Sequence, residues 1–207
     1  SKFVLIPVGI IFLTQALLRI KKNLFTAEII KPVLPYVLYL IPFLVLINAI
    51  GSDYQLTKWD EFSFWGTSVK YMQLTNELYS FAPLDLVNAK QYPPAQQLFQ
   101  YFFIQFASWS EPLLLGLELV LILCTLMSIF SAAPRNAYLG GLTFIASTAI
   151  IYYFHYQFHN IYADTFLAFY FAATAILMLN SRNRLIDNLS ISLAIFLLVQ
   201  IKVTGLI

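Results

Sequence analysis

Charge is what this sequence has least of. Only 11% of its 207 residues are Asp, Glu, Lys or Arg, against about 25% in a soluble domain. That is too few to cover a water-facing surface, which argues against a soluble enzyme and a disordered tail. With 12 basic and 10 acidic residues, a net charge of +2, there is no strong basic field for nucleic acid to meet. Cysteine is nearly absent. A lone Cys124 excludes an intrachain disulfide framework and a cysteine-built metal site, and its place in an apolar run predicts a packed thiol. Internal repeats and low-complexity segments are missing too. What is present is apolar: 60% hydrophobic, 17% aromatic and a mean hydropathy of +0.75. The expected fold is all-α, a polytopic transmembrane helical bundle.

A helix needs about 20 apolar residues to cross about 30 Å of hydrocarbon. Six segments approach that length: 2–18, 33–51, 112–130, 137–154, 161–179 and 189–207. Arg19, Lys21 and Lys22 follow the first, where a signal peptide would carry a small-residue cleavage site. Both ends abut apolar runs, so residues 1–207 are expected to form one transmembrane module of a longer protein. Ala95–Ala107, about 13 residues, follows Pro93-Pro94 and is interrupted by Gln96, Gln97, Gln100 and Gln105. Its length suits an interfacial or re-entrant helix. If it does not cross, Arg19, Lys21, Lys22, Lys31, Arg135, Arg182 and Arg184 share the cytoplasmic side, as the positive-inside rule asks. The long loop 52–111, the 155–160 turn and Lys202 then face outward.

The outer loop is too aromatic for a passive linker. Trp59-Asp60-Glu61-Phe62 opens an expected amphipathic helix whose apolar stripe is Phe62, Trp65, Val69 and Met72. Asp60 suits its N-terminus as a cap, and so does Glu61 as a first-turn acid. The alternative is a general base or metal ligand beside the membrane, since a carboxylate against aromatic surface and away from water favours proton abstraction. Tyr92 precedes two prolines and is either part of a rigid turn or the wall of a pocket. His155 and His159 are four apart, without the HExxH pattern of a zinc site, and interfacial packing is the favoured reading over half a metal site. Asp164 starts an apolar span, where an acid either caps or serves a function. Lys202 is expected about 20 Å along the last helix, snorkelling outward or holding a lipid phosphate. Glu118 lies inside a span and would pair with a cation from another helix.

The order of these features, rather than any single motif, resembles the GT-C superfamily of membrane glycosyltransferases. Most similar is its protein O-mannosyltransferase and aminoarabinose-transferase branch. The resemblance covers roughly 33–207: Trp-Asp-Glu early in a long outer loop, Tyr92-Pro93-Pro94, Tyr162-Ala-Asp164 at a span start and Lys202-Val-Thr-Gly in a later span. It implies a glycosyltransferase moving a sugar from a polyprenyl-phosphate donor to a glycan, lipid or protein acceptor. The active site would face outward from a bacterial inner or plasma membrane, or into a eukaryotic lumen. Asp60 matches the family's catalytic acid, with Glu61 beside it. Lys202, Tyr92, Asp164 and His159 are the expected substrate- and phosphate-binding residues. Asp60-Glu61 departs from the Asp-x-Asp spacing of metal-dependent members, so no metal ligand is assigned, although a divalent metal is compatible with the family. The rival readings are a transporter or flippase of lipid-linked sugars, using Glu118, Asp164 and Lys202 as pathway charges, and a non-catalytic subunit of the same fold.

Overall fold

A computed structural model describes residues 38–42, 44–46, 53–83, 85–88, 90–132, 136–154, 160–182 and 184–202. Among them the regular structure is helical, without strands. Residues 38–42 and 44–46 are helical inside the second expected span, whereas the expected span 2–18, Arg135, His155 and His159 lie outside the described residues.

A π-helical turn, Glu61–Trp65, leads directly into α1, Gly66–Thr75. The Gly66 N–H closes this wide turn on the Glu61 carbonyl, and an added Cβ at Gly66 would run into a Leu56 methyl. Asn76 ends α1 in the left-handed region (φ 58°), donating its N–H to the Met72 carbonyl at 2.9 Å, a helix stop asparagine tolerates well. After a 3-10 turn at Tyr79–Phe81 come α2 (Ala95–Ile104), α3 (Glu111–Ala132), α4 (Ala137–Phe154), α5 (Ala163–Leu179) and α6 (Leu185–Ile201). The most extensive packing is α3 on α5; α4 lies against α3, α6 against α5, and α2 touches α1, α3 and α6.

Three expectations about these elements change. The buried face of the first helix is Glu61, Phe64, Trp65, Ser68, Val69 and Met72, while Phe62 is exposed. Trp65, Val69 and Met72 of the expected stripe are buried, but Phe62 gives its place to Glu61, which carries a carboxylate inward. The last helix starts at Leu185, not at 189, because Asp187 in its first turn accepts the backbone N–H of Arg182 at 3.0 Å and the Arg184 guanidinium at 3.2 Å. It ends at Ile201, so Lys202 stands just past the helix in extended backbone, not deep within it. Cys124, expected as a packed thiol, is exposed on α3.

Polarity is inverted in two places. The short helix α2 buries Gln96, Gln97 and Gln100 completely and exposes Leu98 and Phe103, with Phe106 exposed just beyond its end. Helices α4 and α6 are apolar on nearly every side, yet Leu139, Leu142, Ile150, Leu189, Leu193 and Phe196 are all exposed. In water an apolar face of this extent would be paired or covered. Within α3, Glu111–Phe130 is long and apolar enough to cross a membrane, while Tyr138–Tyr153, Ala163–Leu179 and Leu185–Ile201 are shorter apolar helices.

Candidate functional site

The site is built on a buried carboxylate that is not itself in the cavity. Glu61 is fully buried and meets four donors. Its Oε2 accepts the backbone N–H of Thr57 at 3.1 Å and of Lys58 at 2.9 Å. Its Oε1 accepts the Tyr54 hydroxyl and the backbone N–H of Ile161 at 3.2 Å. Burial first, and then this bond to Glu61, push the Tyr54 phenol well above its ordinary value. The Ile161 peptide is gripped from its other side, since its carbonyl accepts Gln96 Nε2 at 2.8 Å. One residue thus ties the start of the first helix to the strand of chain that delivers Asp164. Nearby, the Leu56 N–H donates to Glu111 Oε2 at 2.7 Å and pins the start of α3 to the same loop.

In front of this node lies a cavity of about 380 Å³, lined by Trp59, Asp60, Ser63, Phe64, Trp65, Asn88, Tyr92, Asp164 and Lys202. Asp60 is exposed. It occupies the cap position in helical backbone but makes no side-chain cap bond, and its carboxylate has no hydrogen-bond or ion-pair partner among the described residues. The capping role weighed for it is therefore not what this geometry uses. Asp164 does not cap α5 either: Tyr162 holds the cap position, and Asp164 Oδ1 accepts Lys202 Nζ at 2.6 Å. The ammonium also sits 5.9 Å from the centre of the Tyr92 ring, within reach of a cation–π attraction. Lys202 is therefore paired and not simply snorkelling.

Tyr92 is fixed as a wall. Its ring stacks on Trp65 (5.7 Å between centres, 17° between planes) and leans on Phe64 at 5.2 Å. Its carbonyl accepts the Tyr79 hydroxyl at 2.5 Å. Burial raises the Tyr79 phenol above its ordinary value, so it stays a donor. Aromatic faces and a short polar rim are the surface a sugar ring uses, apolar on its C–H face and hydroxylated at its edge.

Asp60, Tyr92, Asp164 and Lys202 thus line one cavity, drawn from four separate stretches of chain. Glu61 stands behind that cavity and does not open into it. Glu118, expected to meet a cation, instead accepts Gln100 Nε2 at 3.3 Å and is fully buried. The sequence reading missed Glu61's four donors and the inward glutamines. The signal available was the run of glutamines itself, spaced 96, 97, 100 along one helical face. Among the described residues, no three His, Cys, Asp or Glu gather as a metal shell. Compared with known protein families, curated proteins and solved structures, the chain gives no match.

Proposed function

We propose that the chain is the membrane-embedded catalytic module of a glycosyltransferase that takes a sugar from a polyprenyl-phosphate donor. One observation carries this reading: an unpartnered carboxylate, a lysine and an aromatic wall share a cavity at one end of a set of apolar helices. The turn holding Arg182 and Arg184 lies at the far end of α5 from Asp164, about 25 Å away by helical rise. That separation agrees with a cytoplasmic basic turn and an outward-facing cavity. The inverted polarity of α2, α4 and α6 supports insertion in lipid, with α3 to α6 as spans of a polytopic bundle and α2 as a re-entrant or interfacial element.

In this scheme the acceptor hydroxyl enters beside Asp60. Its oxygen attacks the anomeric carbon as Asp60 takes its proton. The bond from that carbon to the donor phosphate oxygen breaks, and the polyprenyl phosphate leaves with the electron pair. Lys202 offsets the charge on the departing phosphate. Trp59 and Tyr92 hold the sugar face, with Phe64 and Trp65 packed behind Tyr92. Glu61 acts as a positioning residue, since its donors are spent on fixing the loops that carry Asp60 and Asp164. A transport reading would draw on charges along the membrane interior. The fully buried Glu118, held by Gln100, supports it less well than the cluster at one end supports transfer.

The test is turnover. Protein in lipid is given a panel of radiolabelled polyprenyl-phosphate sugars, and loss of label from the lipid is followed. The expected result is turnover by wild type that falls roughly 100- to 10,000-fold in Asp60→Asn. Wild-type turnover equal to that of Asp60→Asn overturns Asp60 as the base.

A further inference from the structure

Three charged side chains line the cavity: Asp60, Asp164 and Lys202. The two acids outnumber the lysine, so the cavity repels an incoming anion until its balance changes. The lysine is also already engaged, by Asp164 at 2.6 Å. The partners differ in freedom. The Lys202 side chain is 19% exposed and Asp164 is 57% exposed, so the short aspartate can rotate into solvent while the lysine stays over the Tyr92 ring.

We infer that Asp164 is an internal stand-in for the donor's phosphate, and that its exchange for that phosphate on Lys202 sets donor affinity. This rests on the reading of Lys202 as the phosphate-binding residue. Binding then has two linked events: the phosphate takes the ammonium, and the displaced Asp164 carboxylate turns out to water. Asp164 thereby weakens the binding of any phosphate to Lys202 and makes product phosphate easier to release. Removing its charge while keeping its shape tightens phosphate binding, and does so only where Lys202 is present.

The experiment uses the whole chain in zwitterionic phosphatidylcholine nanodiscs, titrated with farnesyl phosphate and, separately, with inorganic phosphate. Tryptophan fluorescence reports binding, because Trp59 and Trp65 line the cavity. Asp164→Asn is expected to bind farnesyl phosphate about fivefold more tightly than wild type, the scale of one exposed ion pair. Asp164→Glu is expected to return to within about twofold of wild type, and Lys202→Gln to lose most of the affinity. In Asp164→Asn/Lys202→Gln no tightening should remain. Tightening that appears with farnesyl phosphate and inorganic phosphate alike assigns the effect to the phosphate group; tightening with the lipid alone adds the tail to the site. Unchanged or weaker binding in Asp164→Asn, with Lys202→Gln still impaired, overturns the exchange and leaves the phosphate role of Lys202 standing. Binding that is indifferent to Lys202→Gln, or missing in every variant, overturns both.

Discussion

Two buried carboxylates show how differently this chain treats its ends and its middle. Glu61, at the cavity end, is met by four donors from two stretches of chain. Glu118, about two turns into the apolar α3, has one amide donor at 3.3 Å, and its Oε1 is without a partner among the described residues. Both are fully buried. A carboxylate offers about four lone-pair sites, so the first is saturated and the second is not. The cavity end is therefore organised by polar bonding, and the helical body by apolar packing that tolerates a few glutamines and one acid. The carboxylate that ties the cavity loops together is the one whose hydrogen bonds are complete.

Removing Glu61 is the largest break in that contrast. Glu61→Ala strands a phenol and three backbone N–H groups away from water, and is expected to lower stability by about 3–5 kcal/mol, read as a fall in the thermal midpoint in detergent. A midpoint unchanged by the substitution would show that the node organises nothing. Taking only one donor away is gentler. Tyr54→Phe should cost about 1–2 kcal/mol at neutral pH. Because the folded state raises the Tyr54 phenol above its unfolded value of about 10, this contribution is whole below pH 10 and fades as pH rises above it. The stability gap between wild type and Tyr54→Phe should narrow in alkali; a constant gap up to pH 11 contradicts the assignment.

The smallest effect is expected at the other acid. Glu118→Leu combined with Gln100→Leu exchanges an incompletely bonded pair for packed side chains, and should leave stability within about 1 kcal/mol of wild type or raise it. A loss as large as that of Glu61→Ala would erase the distinction between the regions.

Much of the helical outline was legible because apolar runs and their boundaries are local. Segments 112–130, 137–154 and 161–179 differ by two residues or fewer at either end from α3, α4 and α5. The last helix was misplaced because Asp187 acts at its first turn, a cap effect that an apolar count passes over. The stripe of the first helix was right at Trp65, Val69 and Met72 and wrong at Phe62, because Glu61 faces inward instead and its partner Ile161 lies 100 residues away. Nothing local reports such a bond. The ion pair of Asp164 with Lys202 spans 38 residues; each charge was conspicuous in an apolar setting, but their meeting was not readable. Asp60 and Tyr92 stood out in the expected outer loop, Asp164 at an expected span start and Lys202 within the last apolar run; they line one cavity because the start of the first helix, the segment before α2, the start of α5 and the end of α6 converge.

The most direct measurement compares the neighbours Asp60 and Glu61. Turnover per folded molecule and thermal midpoint would be determined together for Asp60→Asn and Glu61→Gln, using a donor that wild type consumes. The account predicts that Asp60→Asn keeps the wild-type midpoint and loses turnover roughly 100-fold or more, while Glu61→Gln drops the midpoint and retains much of the turnover in the fraction that remains folded. The reverse pattern, a stable but inactive Glu61→Gln beside an active Asp60→Asn, would make Glu61 the chemical residue and contradict the account.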